Sequence, residues 1–567
     1  MRNRVIGGLT LAAAGMLALA ACSSGGSSTA SSSGGSSSVK SGGTLTFALD
    51  QDMAGFNVNS ASDEEFVLQE VLNQTLPQVY VIQPDLKPVL DTDYVTSVKV
   101  TSTSPQTIVY QINPKAVWSD GVPINADDFI YNWEAQSGNP KFKDVGGQAY
   151  EPATTAGYAN IKSVTGSNGG KTVTMIYSKP FGDWKALFTD IYPAHIMSKV
   201  GFNSGFQTFN SAVKVSGGPF ELQSYTKGQD IIEVPNPTWW GAKPKLSKLV
   251  FQIFADDNQI PPAIQNNEVN AANPAQASVQ FKDAVASVPN TGTTIIPGLE
   301  FQHIDFNEAN FYLADANVRH AIAYGTDREE MVQRIVSPIT TSVKPLMNRI
   351  YMPIQPQYQD TSAGYGAYNP TKAKSLLAAA GMTMGSDGYF QPKSGPEAGK
   401  DLSFTISTTS GEPVRAEIEQ LFQANMKDIG VKINIQNYSP NTLFGTVAPK
   451  SEYDIIEFAW VSTPFASANL SIYCDFKDAS NCGQNWNHYE DPQVDSLLNQ
   501  AGADENPTTA AAMYNQADAL LWRDMDTLPL FEQPQLYTYG SQFANVIPNP
   551  SSIGLTWNAN QWGVKAS

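Results

Sequence analysis

Between Leu402 and Ile435 the chain spells out one complete crossover, and no other stretch restricts the fold as much. Residues 402–408 read as a strand, and Pro413 stands where a first helical turn tolerates it. Val414, Ile418, Leu421, Phe422 and Ile429 then form an apolar stripe, Gly430 can stop the helix, and "VKINI" alternates again. This is a β-α-β unit, so the second half of the chain is expected to be α/β.

Other elements are equally well punctuated. Leu45, Phe47 and Leu49 alternate as in a half-buried strand, and strand-like runs follow at 107–112 and 172–177. Asp120-Gly121 is a turn, after which Asn125 caps a helix with Asp127 and Asp128 in its first turn and Phe129, Ile130 and Trp133 on one face. Asn369-Pro370 opens a helix closed by Gly381, and Asp491-Pro492 opens another. "TDRE" at 326–329 has capping-box spacing, just after a helix carrying Val318, Ala321 and Ile322. No internal repeat is visible.

The first residues set the compartment. Arg2 and Arg4 precede about seventeen mostly small or apolar residues, too short for a span of roughly 20 and without a charged anchor behind them, so they read as a secretory signal. Leu19-Ala20-Ala21-Cys22 matches the lipobox of bacterial lipoproteins, with Cys22 as the lipidated mature end; the alternative is an ordinary signal with an incidental cysteine. Ser, Gly, Thr and Ala alone fill 23–38, a flexible coil that spans roughly 20–25 Å. The expected location is the outer face of the cell membrane, held by lipid. About 546 residues follow the cut, more than one core usually holds, so two or three lobes are expected. Without Arg2 and Arg4 there remain 33 Lys and Arg against 53 Asp and Glu, a surface that repels phosphate backbones and speaks against nucleic-acid binding.

Catalytic and metal motifs are missing or broken. "TGSNGGKT" at 165–172 ends like a phosphate-binding loop but has Thr165 where the first glycine belongs, so it reads as a hairpin turn. No nucleophile elbow is present, and the four histidines, His195, His303, His320 and His488, are unpaired at helical spacing, so neither an enzyme nor a metal or cofactor site is expected. With Cys22 lipidated, Cys474 and Cys482 are left to close a small disulfide loop; a zinc site is the rival, without the usual cysteine spacing. Trp118 and the pair Trp239-Trp240 read as structural. Trp460 follows an apolar strand, 455–459, and enters a small-residue loop, a position suited to lining a cleft.

Six stretches in order, "VWSDGVPINADDF", "SGGPF", "NPTWWGAKPKL", "ANVRHAIAYGTDREEMV", "YNPTKAKSLLAAAGM" and "YEDPQVDSLL", resemble the oligopeptide/dipeptide/nickel class (family 5) of extracellular solute-binding proteins of ABC importers. The resemblance covers about nine-tenths of the chain. "FAWVSTPF" also resembles a lipoprotein subgroup of Gram-positive bacteria linked to peptide uptake.

The resemblance implies an α/β, periplasmic-binding-protein-like type II fold of three lobes with the ligand between two of them. Lobe I would comprise 42–85, 205–298 and 531–567, lobe II 86–204, and lobe III 299–530, after a signal peptide at 1–21 and a tether at 22–41. Chain crossings near 295–302 and 530–537 would form a hinge whose closure buries the solute and favours docking on the permease. Relatives that bind peptides hold the ligand backbone as an added strand. By position the lobe III partner would be Trp460, Val461, Ser462 and Thr463, and the lobe I partner Asn59, Ser60, Ala61 and Ser62, with Phe301 and His303 walling the cleft near the hinge.

One departure bears on the cargo. Peptide-binding members often place an aspartate shortly after this tryptophan to meet the peptide's ammonium group, but here Ser462, Thr463 and Pro464 follow and the next acid is Asp475. Either another acid such as Asp63 or Glu64 serves, or the ligand has no free amino terminus. The expectation is thus a lipid-anchored, monomeric, non-enzymatic receptor that delivers oligopeptides to an ABC permease. The rivals are a capped peptide, oligosaccharide or glycolipid-like cargo, a sensor or envelope-assembly lipoprotein without transport, and a secreted hydrolase. Nickel or haem uptake would need a histidine cluster that the chain lacks.

Overall fold

The computed structural model describes residues 39–477 and 483–566. Cys22, the tether and Cys482 lie outside the described residues; Cys474 is disulfide-bonded. Three sheets organise the rest. A seven-stranded sheet runs in the order Thr291–Ile296, Gln535–Gly540, Ala271–Ala272, Thr44–Leu49, Lys248–Ile253, Asp230–Pro235, Phe220–Thr226. A five-stranded sheet runs Lys432–Ile435, Ser403–Ser407, Ile455–Val461, Glu300–Phe306, Thr527–Glu532. A four-stranded antiparallel sheet, Val95–Thr103, Gln106–Ile112, Thr172–Tyr177 and Ile161–Ser167, stands apart with its own core around Trp118, Tyr110 and Phe129.

The crossover forms as the sequence predicts. Ser403–Ser407 lies parallel to both Lys432–Ile435 and Ile455–Val461, and the helix Pro413–Asp428 connects the first two. Its stripe is buried in the core of the five-stranded sheet, and Gly430 takes a positive φ of 81° where the chain turns back. Asn125 caps Ala126–Gln136 with the reciprocal bond from Asp128, and Asn369 and Asp491 cap their helices. The "TDRE" cap lies one residue later than expected: Asp327 accepts the Glu330 N–H, while the Thr326 hydroxyl turns back to the Ile322 carbonyl. The glycine-rich 165–172 stretch is a hairpin turn, and its Lys171 Nζ donates to the carbonyls of Asn113, Ala116 and Ile124. Trp118 is fully buried, and Trp239 and Trp240 pack with ring centres 4.4 Å apart and planes tilted by 44°, each indole bonded to a backbone carbonyl.

The large sheets share two crossings. Thr291–Ile296 belongs to the seven-stranded sheet and leads through 297–299 into Glu300–Phe306 of the five-stranded one; Thr527–Glu532 returns through 533–534 into Gln535–Gly540. Both elements are paired to each other on both sides of the crossing, so the two sheets are joined by a double-stranded strap.

Candidate ligand cleft at the hinge strands

The strap is tightly stitched. Gln533 N donates to the Glu300 carbonyl at 2.8 Å, Gly298 N to Glu532 Oε1 at 3.1 Å, and Ser462 N to the Leu299 carbonyl at 3.0 Å. A Cβ on Gly298 would lie 2.7 Å from the Gln533 carbonyl oxygen, so only glycine lets the two crossings approach this closely. Gly298→Ala is therefore expected to lose about 1–3 kcal/mol in a denaturant titration, because backbone rather than a flexible side chain must give way. A wild-type midpoint would show that the strap is loosely packed.

Beside the strap lies an open strand edge. Ile455–Val461 pairs along its whole length with Glu300–Phe306, but on its other side it meets Ser403–Ser407 only at Ile455 and Ile456. Among the described residues no strand covers that edge from Glu457 to Val461. Along such an edge the backbone N–H and C=O of alternate residues point outward unpaired, and next to a hinge they are a template for an added strand.

The two faces of this strand pair differ. Phe458 and Trp460 point to the side that carries Phe301 and His303, and there they build an aromatic cluster. His303 stacks on Trp460 at 5.6 Å with 12° between the planes, Phe458 meets His303 edge-on at 4.3 Å, and Trp486 lies 5.6 Å from Trp460. Phe301 and His303 are 1% and 0% exposed, as deeply buried as Gln302 and Glu457 on the opposite face, both 0% exposed. His303 Nε2 lies 3.2 Å from Asp305, while its Nδ1 and the Trp460 Nε1 have no partner among the described residues.

The opposite face carries Glu300, Gln302 and Glu457, none of which the sequence singles out. The helix Pro413–Asp428 lays Arg415 and Glu419 over it, one turn apart. Thr408 donates to Glu457 Oε2 at 2.9 Å, and Arg415 donates to the Thr409 hydroxyl. Gln302 Nε2 reaches out of its own sheet to Gln276 Oε1 at 2.8 Å, which places this face against the loop that follows Ala271–Ala272 in the seven-stranded sheet. On that side Asp50 accepts the Ala275 N–H, and Asn273 lies 3.4 Å from Glu70. Burial pushes Asp50 up to about 6, Glu300 up to about 7, Glu457 up to about 8 and Glu70 well above the usual carboxylate range; Arg415 opposes the shift of Glu300 and Glu457.

The 59–62 segment sits elsewhere on the seven-stranded side. Ala61 N donates to the Glu151 carbonyl and Ala153 N to the Asn59 carbonyl, so its backbone pairs with 151–153. Asn59 Nδ2 donates to the Asp190 carbonyl, Ser60 is buried, and Ala61 and Ser62 are exposed. Among the described residues no hydrogen bond joins 59–62 to 460–463. Of the two acids weighed for the ligand, Asp63 is buried and held by Asn57 N, Ser62 and Gln207. Glu64 is exposed, and the protein around its carboxyl raises its pKa.

At the far rim the lobes touch. Gly182 N donates to the Gly502 carbonyl at 2.8 Å and Asp183 Oδ2 accepts the Ser467 N–H at 3.0 Å, tying a loop of the four-stranded sheet's lobe to helices packed on the five-stranded one. Leu86, at the tip of a hairpin and with a φ of 64°, packs on the aromatic cluster from the same direction. Among the described residues no helix is long and apolar enough to cross a membrane.

Residues 86–481 match the family model described as bacterial extracellular solute-binding proteins, family 5. The oligopeptide-binding protein OppA of Mycobacterium tuberculosis is 30% identical over 515 residues, 89% of this chain and 83% of that one. An uncharacterized lipoprotein of Mycobacterium tuberculosis is 24% identical over 99% of this chain and 97% of its own. Among solved structures, the periplasmic EDTA-binding protein EppA superposes with a TM-score of 0.85 at 27% identity, covering 94% of this chain and 98% of that one.

Proposed function

Because the chain belongs to the bacterial extracellular solute-binding proteins of family 5, a family of receptors rather than enzymes and of the type II periplasmic-binding fold, we propose that it captures oligopeptides for an ABC permease without catalysing a reaction. Lipid on Cys22 would hold it as a monomer at the outer face of the membrane, a placement supported by the lipoprotein relative. The unpaired edge from Glu457 to Val461 carries this reading, since an extended peptide needs only backbone partners to dock there, whatever its side chains. On this reading Val461, Ser462 and Thr463 offer main-chain groups, Trp460 and His303 stiffen the strand from behind, and the 59–62 segment forms part of the opposite wall. Closure about 297–299 and 533–534 then buries the solute, and the closed shape is the one the permease selects.

Native mass spectrometry of residues 39–567 incubated with a peptide digest tests the reading. Retention of short peptides that are released on unfolding is the expected result. Retention of only sugars or lipids from the source cells would overturn the peptide assignment, and no retained mass would move the chain out of transport. The likeness to a protein named for EDTA shows that this fold is compatible with cargo other than peptides, so the residues of the cleft decide the cargo.

A further inference from the structure

Two of the sequence stretches that the cleft leaves unused meet at a second cavity. It holds about 270 Å³ and shares no residue with the hinge strands, the open strand edge or 59–62. Gly217 and Gly218 of "SGGPF" and Trp239 of "NPTWWGAKPKL" form one side. The hairpin of Tyr80–Ile82 and Pro88–Leu90, with the turn that follows it, forms another, and the short helical segment Leu555–Gln561 closes the third. These walls are pinned through their backbone. Asp93 N donates to Asp91 Oδ1 at 2.9 Å, and the Asp93 carbonyl accepts the Trp240 indole at 2.6 Å and the Asn113 amide at 3.0 Å. Asn560 N donates to Gln74 Oε1 at 3.1 Å. A Cβ on Gly241 would meet the Asp93 carboxylate and the Trp239 ring at 2.7 Å each, so carboxylate and indole lie side by side.

The lining offers two kinds of surface. Trp239 and Trp557 spend their indole N–H groups on the Ala242 and Ile547 carbonyls, so what they have left is ring carbon. Thr92, Asp93, Asn560 and Gln561 make no side-chain hydrogen bond among the described residues, which leaves a hydroxyl, a carboxylate and two amides for a ligand. No Lys, Arg or His lines the cavity, so nothing balances an anion, and Asp91 and Asp93 repel one. Among the described residues no three acids or histidines are placed to hold a metal ion. A hydrocarbon chain would suit the indoles but cover the four polar groups without bonding them. A ring with hydroxyls on its rim and C–H groups on its faces suits both, since each hydroxyl donates and accepts as the amides do, and the C–H faces pack on the indoles. We propose that this cavity is a saccharide-binding site that takes one sugar ring, apart from the solute cleft. Its volume sets the single ring, because it falls just below the roughly 300 Å³ at which pockets for drug-sized ligands begin. The site stands whether or not the cleft takes peptides.

Saturation-transfer NMR on the full chain tests the site with the methyl glycosides of glucose, galactose, mannose and N-acetylglucosamine, and with choline and glucose 6-phosphate as counter-probes. At least one glycoside should bind with a Kd of roughly 1 mM, as expected of about a dozen ligand atoms, and glucose 6-phosphate should not bind. Asp93→Ala and Trp557→Ala should each weaken the glycoside about 10-fold while peptide retention in native mass spectrometry stays as in the wild type. Gln561→Ala, at an exposed position, repeats the measurement should Trp557→Ala not fold. Sedimentation with insoluble wall glycan of the source cells, lost in the same variants, would assign the ring to a polymer end; glycoside binding without it would assign a free sugar. No glycoside bound at about 20 mM, choline bound in place of the glycosides, or a glycoside that binds all three variants as it binds the wild type overturns the inference and leaves the peptide receptor in place.

Discussion

Arg349→Leu is expected to cost about 3–5 kcal/mol of stability, because it strips the partner from a fully buried carboxylate. Arg349 and Asp518 are both 0% exposed and lie 3.4 Å apart. The guanidinium also donates to the Thr527 and Leu521 carbonyls and covers one face of Trp522, 4.3 Å from the ring centre, while Arg328 covers it at 5.3 Å. Burial already raises the Asp518 pKa against the pull of Arg349, and removing the arginine raises it further. A carboxyl whose folded pKa exceeds its unfolded value binds more protons in the native state, so stability falls as pH rises past the unfolded value near 3.9. The deficit of the variant should thus be smaller at pH 5 than at pH 8, measured as the shift of the urea midpoint. A pH-independent deficit would mean that lost packing on Trp522, not the stranded Asp518, dominates.

Gly182→Val is expected to act on shape rather than stability. A Cβ at Gly182 would lie 2.3 Å from the Asp504 carbonyl oxygen, a backbone atom of the facing lobe, so any side chain forces the rim apart and breaks the bonds to Gly502 and Ser467. Closing the cleft is one equilibrium and binding selects its closed side, so losing two interlobe hydrogen bonds of about 1 kcal/mol each should weaken solute binding by roughly 10–30-fold. Small-angle scattering should show a larger radius of gyration for the variant, with an unchanged urea midpoint. Wild-type scattering and affinity together would show that the rim contact is incidental. Leu86 makes the same point in another way: a bulky residue held in the left-handed region costs about 1–2 kcal/mol, and here it is kept where it packs on the partner lobe.

What the sequence reveals and what it hides follow from how side chains alternate. The crossover helix is legible because Pro413 and Gly430 punctuate it and its stripe has helical spacing. The helix after Asn125 is legible because a capping box needs two residues at fixed spacing. The cap at Asp327 is off by one because Thr326 and Asp327 both qualify chemically, and only the tertiary turn at Ile322 decides which hydroxyl or carboxylate is free. The cleft face is hidden for a different reason. All seven residues of Glu300–Phe306 are buried, so the strand shows no polar–apolar contrast to say which side faces the gap. Phe301 and His303 draw the eye as aromatic, yet Glu300 and Gln302, each one residue away, hold the opposite face. Only register against Ile455–Val461 tells the two sets apart.

The first and last described strands meet: Val39 pairs with Lys565 and Lys40 with Val564, and Gly563–Lys565 in turn pairs with Phe543–Ala544. The pairing is close enough that a Cβ on Gly563 would strike the Val39 side chain at 2.1 Å. Mechanically, any pull arriving through the residues before Val39 is handed at once to the C-terminal strand and from there to the stretch just past Gln535–Gly540. The load path stays within the seven-stranded lobe and never crosses 297–299 or 533–534. A force carried this way would not pry the two large sheets apart, and the crossings at 297–299 and 533–534 would stay unloaded.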